Sequence, residues 1–445
     1  MEAKRQAGTG LREHAMNPKV EIRNPKSERI LVRGVNWLGD AVLTTPALLR
    51  LRQAKPEAHI ALLTPEKLKD LWVRHPAIDE VITFTPDQSL WQVASRIQSS
   101  TPPIEEHRQN RAELVQGLHQ GGTAQVHDSA ERVLSSPFRR RAFDLAIVFP
   151  NSPRSVLEVW LARIPQRIGY ARPWRNFFLT TRVPSRPDAV KMRKRSAAEI
   201  KRLVAAGPAG ATCNLQHAPP TPAAHHLGQY LRLVAALGAN PEPLPPLLEV
   251  AGDEVAAVKQ KFSLADSVRW FGLNPGAEYG PAKRWPRDRF IAAATETQKH
   301  ANCRWLIFGS RTDVSLATGM ANLLQQAFPS APPLNLAGQT TLRELCALLK
   351  LCRLLLTNDT GPMHVAAAVG TPVVAIFGST SPELTAPGSP GDSRHRLLKS
   401  DAPCSPCFRR ECPIDFRCMK SIEIEAVVAA VLDAGSSHGR AGNIL

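Results

Sequence analysis

Residues 28–53 read ERILVRGVNWLGDAVLTTPALLRLRQ. The opening run is apolar and β-branched enough to predict a strand, and Leu43, Ala47, Leu48 and Leu51 then recur at helical spacing. Between the two stands Asp40, directly after Gly39 and with no other charge before Arg50. A strand that turns into a helix in this way is half of a βαβ unit. An acid at that seam lies at the carboxyl end of a strand, where open α/β sheets build their ligand crevices. Two readings stay open: Asp40 caps the helix by accepting backbone N–H bonds, or it is a carboxylate kept for chemistry.

The same pattern recurs along the chain. HIALLTP (59–65), EVITF (80–84) and FDLAIVFP (143–150) follow in the first half; WFGLNPG (270–276), CRWLIFGS (303–310), LLLTND (354–359) and PVVAIFG (372–378) follow in the second. Strand-like runs alternating with helical stretches predict an α/β protein with parallel sheets wrapped by helices. A break rich in Pro, Gly and Ala, within 185–265, separates two such series. The expected organisation is a basic leader over 1–28, a first domain over 29–245, a second over 255–435 and a tail over 436–445. Inside the first domain, 95–141 is polar and poorly periodic and reads as a mobile insertion, and 203–224 reads as a surface loop.

The chain has 445 residues, 43% of them hydrophobic, which is enough for two sizeable cores. No apolar run approaches the ~18 residues of a membrane helix, and the leader lacks the apolar stretch of a signal peptide, so a cytoplasmic protein is expected. The formal charge of +17 calls for an anionic partner. Nucleic acid is a poor fit: the basic clusters at 136–143 and 191–202 are not interleaved with aromatic stacking platforms, and only 6% of residues are aromatic.

Two stretches of the second half suggest phosphate chemistry. FGLNPGAEYGPAKRWP (271–286) places Gly276, Gly280 and Lys283 after a strand. Glycines let a backbone approach a phosphate and a lysine neutralises it, although a plain βα turn has the same look. In LLLTNDTGPMHVAAAVGTPVVAIFG (354–378), a strand ends at Asp359 and a helix begins near Pro362, which suits a first helical turn. Its free N–H groups, with Thr360 and Gly361 beside them, make an anion site for a diphosphate. Asp359 would repel the phosphate and is read as an acceptor of sugar hydroxyls. His364, one turn further on, either faces the site or is a structural histidine.

GVNWLGDAVLTTPALLRLR (34–52), VFPNSPRSVLEVWLARIPQRIGY (148–170), NPGAEYGPAKRWP (274–286) and TNDTGPMHVAAAVGTPVVAIFG (357–378) together resemble the ADP-heptose:lipopolysaccharide heptosyltransferases of glycosyltransferase family 9, most of all the heptosyltransferase II branch. The resemblance covers about 30–85, 142–180 and 225–435, in order. It implies a GT-B fold, in which two Rossmann-like domains face each other across a cleft, the acceptor mainly on the first and ADP-heptose mainly on the second. By this resemblance Asp40 is the general base and Lys283 meets the donor diphosphate. Gly276, Asp359, Thr360, Gly361 and His364 belong to the donor site, and Asp313 lies near the acid that relatives hold for the nucleoside.

The implied reaction is transfer of a heptose, with inversion, to the first heptose of the lipopolysaccharide inner core, without a required cofactor. The implied setting is peripheral, on the anionic inner face of the inner membrane, where a phosphorylated lipid-linked acceptor gives the positive charge a purpose. Arg154, with Arg167 and Arg172, is a candidate for that acceptor; solvated surface arginines are the plainer reading. Heptosyltransferases I and III, or a GT-B transferase for another nucleotide sugar, are the alternatives. Cys404, Cys407, Cys412 and Cys418 crowd CSPCFRRECPIDFRC. A structural zinc is one reading of the four, and reduced thiols are another.

Overall fold

A computed structural model describes residues 28–100, 142–186, 192–207, 213–216 and 224–437. The leader, most of the 95–141 insertion and the end of the tail lie outside the described residues.

The first sheet has six parallel strands, β1 (Arg29–Arg33), β2 (His59–Pro65), β3 (Glu80–Phe84), β4 (Leu145–Val148), β5 (Gln166–Tyr170) and β6 (Thr181–Val183), in the order β3-β2-β1-β4-β5-β6. The second sheet repeats this order. It runs β10 (Leu334–Asn335), β9 (Arg304–Ile307), β8 (Trp270–Asn274), β11 (Leu355–Asn358), β12 (Val373–Phe377), β13 (Arg396–Ser400), and ends on an antiparallel edge strand, β7 (Cys213–Gln216). The α/β fold with two Rossmann-like sheets read from the sequence is the fold observed. In each sheet the strand order reverses at one point, between β1 and β4 and between β8 and β11, and the crevice at such a point is where ligands bind.

The helices that matter for the site are α1 (Leu38–Ala54), α2 (Leu90–Gln98), α3 (Pro153–Leu161), α4 (Ala197–Ala206), α5 (Leu227–Ala235) and, in the second half, α6 (Gly252–Lys261), α7 (Arg287–Ala301), α8 (Val314–Ala327), α9 (Leu342–Leu351), α10 (Gly361–Ala368) and α11 (Ile424–Ser437). α1 is buried from Ala41 to Leu48, as a helix apolar on every face should be. It carries Pro46 in its interior. Proline cannot donate to the carbonyl four residues back, and the Thr45 hydroxyl donates to that Val42 carbonyl instead, at 2.8 Å.

Two expectations are corrected. Residues 95–98 complete α2 rather than open an insertion: Ser89 and Gln92 form a capping box, and Val93, Ala94 and Ile97 are buried. The 203–224 stretch is not one loop of the first domain, because 203–206 finish α4 and 213–216 pair with β13. The segment is joined to the second half: Arg195 N donates to Cys407 O at 3.1 Å, and Ile200 packs into the core around β8 and β11. A four-residue edge strand between Pro/Gly/Ala-rich flanks is too short for periodicity to expose it.

One apolar core runs through both halves, from Ile30 and Leu48 to Val365 and Phe377. It crosses where α1 meets α10. A β-carbon on Gly39 would lie 2.6 Å from His364 Cδ2, and one on Gly361 would lie 2.9 Å from Leu38 Cβ, so each helix approaches the other over a glycine. Gly39→Ala is therefore expected to destabilise the fold by about 1–3 kcal/mol through overpacking. In a denaturation double-mutant cycle, His364→Ala should recover part of that loss, and strict additivity would place the contact elsewhere.

Candidate active site

The crevices of the two sheets meet at this seam. Asp40 occupies the third position of α1, whose N-cap is Trp37, and no side chain caps the helix start. The capping reading of Asp40 therefore fails. Burial pushes its carboxyl up to about 6; the Lys283 ammonium nearby pulls it down and the Asp359 charge pushes it up. Tyr230 on α5 is buried close enough to feel the Asp40 charge. A carboxylate that titrates near neutrality at the mouth of a crevice suits proton abstraction.

Lys283 closes a short 3₁₀ turn, Pro281–Lys283, entered through Gly280. Gly280 has φ 151°, and a β-carbon there would strike Arg410 O at 2.5 Å, so only glycine fits. Lys283 Nζ donates to Asp359 Oδ2 at 2.7 Å and to Asp359 O at 3.3 Å, which leaves the third N–H of the ammonium for a ligand. Burial pushes the Asp359 carboxyl up, but Lys283 beside it outweighs this and holds it below the usual range. Asp359 is 4% exposed, so its carboxylate serves Lys283 rather than standing open to sugar hydroxyls as the sequence suggested.

Thr360 is the N-cap of α10, with extended backbone, and Gly361 is the first helical residue. Asn274, at the end of β8, ties Thr357 and Thr360 together through its amide, at 3.0 and 3.2 Å. Asn358 holds the neighbouring turn by donating to Pro275 O at 2.8 Å and accepting from Trp285 N at 2.9 Å. These two asparagines were not singled out in the sequence. An N–P–G and an N–D–T at the ends of β8 and β11, neighbours in the sheet, were the available signal. His226, at the start of α5, was also missed; burial lowers its pKa, and it sits within electrostatic reach of Asp359 and Lys283.

His364 is buried against Gly39, its pKa pushed down to about 3 by burial, and its Nδ1 has no hydrogen-bond partner among the described residues. It is neutral at physiological pH. Gly276 and Asp313 come together, but not as separate ligand contacts: a β-carbon on Gly276 would sit 2.7 Å from Asp313 Oδ2. That oxygen accepts from Ser310 N at 3.0 Å and Ser310 Oγ at 2.6 Å. Asp313 thus caps its own turn, and Gly276 makes room for it. Both line a cavity of about 290 Å³ with Asn274, Thr341, Thr360 and Leu38, the last from the first half of the chain. Arg154 lies apart from this group, with Nε on Glu158 Oε1 at 2.9 Å and Nη2 on Gln88 O at 2.5 Å. Glu158 also holds the buried Arg33, at 2.7 Å.

Cys404, Cys407 and Cys418 are buried and, with Cys412, carry free thiols. The Cys418 thiol, hydrogen-bonded to Cys404, draws Cys404 down to about 7 and is itself pushed up. Among the described residues no group of three or more His, Cys, Asp or Glu is placed to hold a metal ion.

Residues 208–416 match the profile described as glycosyltransferase family 9 (heptosyltransferase). Lipooligosaccharide heptosyltransferase 2 of Haemophilus ducreyi is 28% identical over 81% of this chain and 86% of its own length. Lipopolysaccharide heptosyltransferase 2 of Escherichia coli K12 is 28% identical over 81% and 85%. The chain is thus similar to the heptosyltransferases of glycosyltransferase family 9. Its fold matches the solved E. coli ADP-heptose lps heptosyltransferase II with a TM-score of 0.64, at 23% identity, over 92% of this chain and 99% of that one. The two sheets are therefore arranged as in the GT-B fold.

In this transferase Lys283→Ala strips the counter-charge from a buried Asp359 and a favourable charge from Asp40. Turnover is expected to fall. The acid limb of the pH–rate profile should move to higher pH, because removing a cation raises the pKa of a neighbouring carboxylate. An unmoved limb would uncouple Lys283 from the titrating group.

Proposed function

We propose that this glycosyltransferase moves a heptose from ADP-L-glycero-D-manno-heptose to the first heptose of the lipopolysaccharide inner core, with inversion at the anomeric carbon and Asp40 as general base. The relatives carry the names of heptosyltransferases that act on lipopolysaccharide or lipooligosaccharide. The observation that supports the chemistry is Asp40 itself, partly enclosed, left out of helix capping and raised to about 6 beside Lys283.

Inverting transfer is one in-line displacement. As the acceptor oxygen bonds to the anomeric carbon, Asp40 takes its proton and ADP departs with both electrons of the broken C–O bond. Charge grows on the terminal phosphate of ADP as it leaves. The remaining N–H of Lys283 and the N-terminus of α10 are fixed dipoles and charges for that oxygen, and they act more strongly on the transition state than on the intact donor. The nucleoside fits the cavity between Gly276, Thr341 and Thr360. No cofactor enters this reading. Among the described residues no helix is long and apolar enough to cross a membrane, and the proposed setting is the anionic inner face of the inner membrane, in the cytoplasm.

A transfer assay with ADP-heptose on core acceptors bearing zero, one or two heptoses tests donor and step together; product only from the one-heptose acceptor is expected. Asp40→Asn tests the base. It should lower turnover by roughly 10²-fold or more while donor affinity stays. The Asp40 carboxyl has a raised pKa in the fold, so the native state binds the extra proton and its stability falls as pH rises from about 4 through about 6. Asp40→Asn should therefore raise the melting temperature at pH 7.5 and not at pH 4, and wild-type turnover should fall as pH drops through about 6. A fully active Asp40→Asn enzyme would remove the carboxylate from the chemistry.

A further inference from the structure

Arg175 is a buried charge without a counter-charge. It follows β5 in GYARPWRNFF and is 0% exposed. Its Nη1 donates to Pro150 O at 2.9 Å and Asn151 Oδ1 at 3.2 Å, both neutral, while Nε and Nη2 have no partner among the described residues. Nη2 packs beneath Gly169, where a β-carbon would lie 2.8 Å away. Among the described residues no carboxylate pairs with it. An arginine cannot escape such a position by giving up its proton; even lowered to about 10 by burial and by Arg172, it stays cationic at neutral pH.

Its surroundings add positive charge. Asn151 and Ser152 lead directly into α3, so the guanidinium lies next to the start of that helix, whose dipole is positive there. Arg172 is exposed, and among the described residues its guanidinium is engaged by Ser185 Oγ alone, at 2.9 Å. A guanidinium, a second arginine and a helix N-terminus repel one another unless an anion lies among them. The loops that carry them follow β4 and β5, and β4 is the neighbour of β1, which leads to Asp40. At a strand spacing of about 4.8 Å, the group lies on the order of 5–10 Å along the sheet edge from the Asp40 loop.

We propose that Arg175, Arg172 and the N-terminal turn of α3 form an oxyanion subsite on the acceptor side, which holds a phosphate or carboxylate carried by the acceptor near the hydroxyl that Asp40 deprotonates. The proposal rests on the acceptor reading above and adds the group by which the acceptor is held. Asn151 Oδ1 is the neutral acceptor that an anionic oxygen displaces, since a charge-assisted bond is the stronger one. Arg154, which the sequence suggested for this role, is already committed to Glu158 and Gln88.

Two measurements test this. In transfer assays, Arg175→Met should raise the acceptor KM by about tenfold or more and leave the donor KM unchanged. Removing the phosphates of the acceptor, or separately reducing its carboxylates, should bring the wild-type KM to the same level in one of the two cases and thereby name the group. Arg175→Met discriminating between charged and neutral acceptors as the wild type does would overturn the proposal. The second measurement needs neither sugar nor a folded Arg175 variant. At constant ionic strength, inorganic phosphate should raise the melting temperature of the wild type and of Lys283→Ala, and should do so less for Arg172→Gln. Protection that vanishes in Lys283→Ala and persists in Arg172→Gln would assign the phosphate to the donor side and sink the subsite. Failure of the heptosyltransferase reading would instead appear as absent transfer with this phosphate pattern intact.

Discussion

The close approach of α1 to α10 is the constraint on which the site depends. Gly39 and Gly361 remove the two β-carbons that would hold the helices apart. With them gone, the first turn of a helix from one sheet rests on the first turn of a helix from the other. Each helix leaves its sheet where the strand order reverses, so the contact joins two ligand crevices rather than two surfaces of no consequence. Asp40 then comes under the influence of Lys283 and Asp359, which are more than two hundred residues away in sequence. His364 is part of the same packing, and its burial against Gly39 explains why it is neutral and carries an unpaired Nδ1.

Those three charges divide the electrostatic work. Asp359 is deep and nearly inaccessible, and its tolerance of burial comes from Lys283 at 2.7 Å. Lys283 is thereby held in one place, with its charge only partly spent on Asp359. Asp40 receives the remainder: enough attraction to keep its pKa near 6, not enough to return it to the ordinary carboxylate range. A tighter contact with Lys283 would make Asp40 a weaker base, and complete isolation would leave it protonated at neutral pH. The position at the seam is a compromise between the two.

Much of this was readable in the sequence, for identifiable reasons. Fully buried parallel strands are short apolar runs ending in turn residues, so β1, β4, β8, β11 and β12 stand out, and the residues just past them are the site candidates. Asp40, Lys283 and the Asp359–Gly361 turn were found that way. What could not be read is who partners whom. Asp359 looked like a ligand for sugar and is the anchor of Lys283; Asp313 looked like a ligand for the nucleoside and caps its own turn against Gly276. Arg154 looked free and is bound to Glu158, a fully buried residue of its own helix that is paired with Arg33 at the end of β1. Such pairings are long-range, and periodicity carries no trace of them. β7 escaped for a related reason, since an edge strand of four residues is defined by its neighbour β13 and not by its own pattern.

The partner assignments also narrow where anionic ligands can bind. A charged side chain already paired inside the protein has little left to offer a substrate, and breaking such a pair would expose an uncompensated buried charge. Arg33, Arg154 and Arg343 are withdrawn from recognition on that ground. Among the described residues, the groups that keep positive potential to spare include Lys283 with the start of α10, and Arg175 with Arg172 beside the start of α3. The first lies at the switch point of its sheet, and the second follows β4 and β5, beside the switch point of the other. In the proposed reaction one centre serves the leaving group and the other the acceptor, so that each holds negative charge near the proton that Asp40 removes.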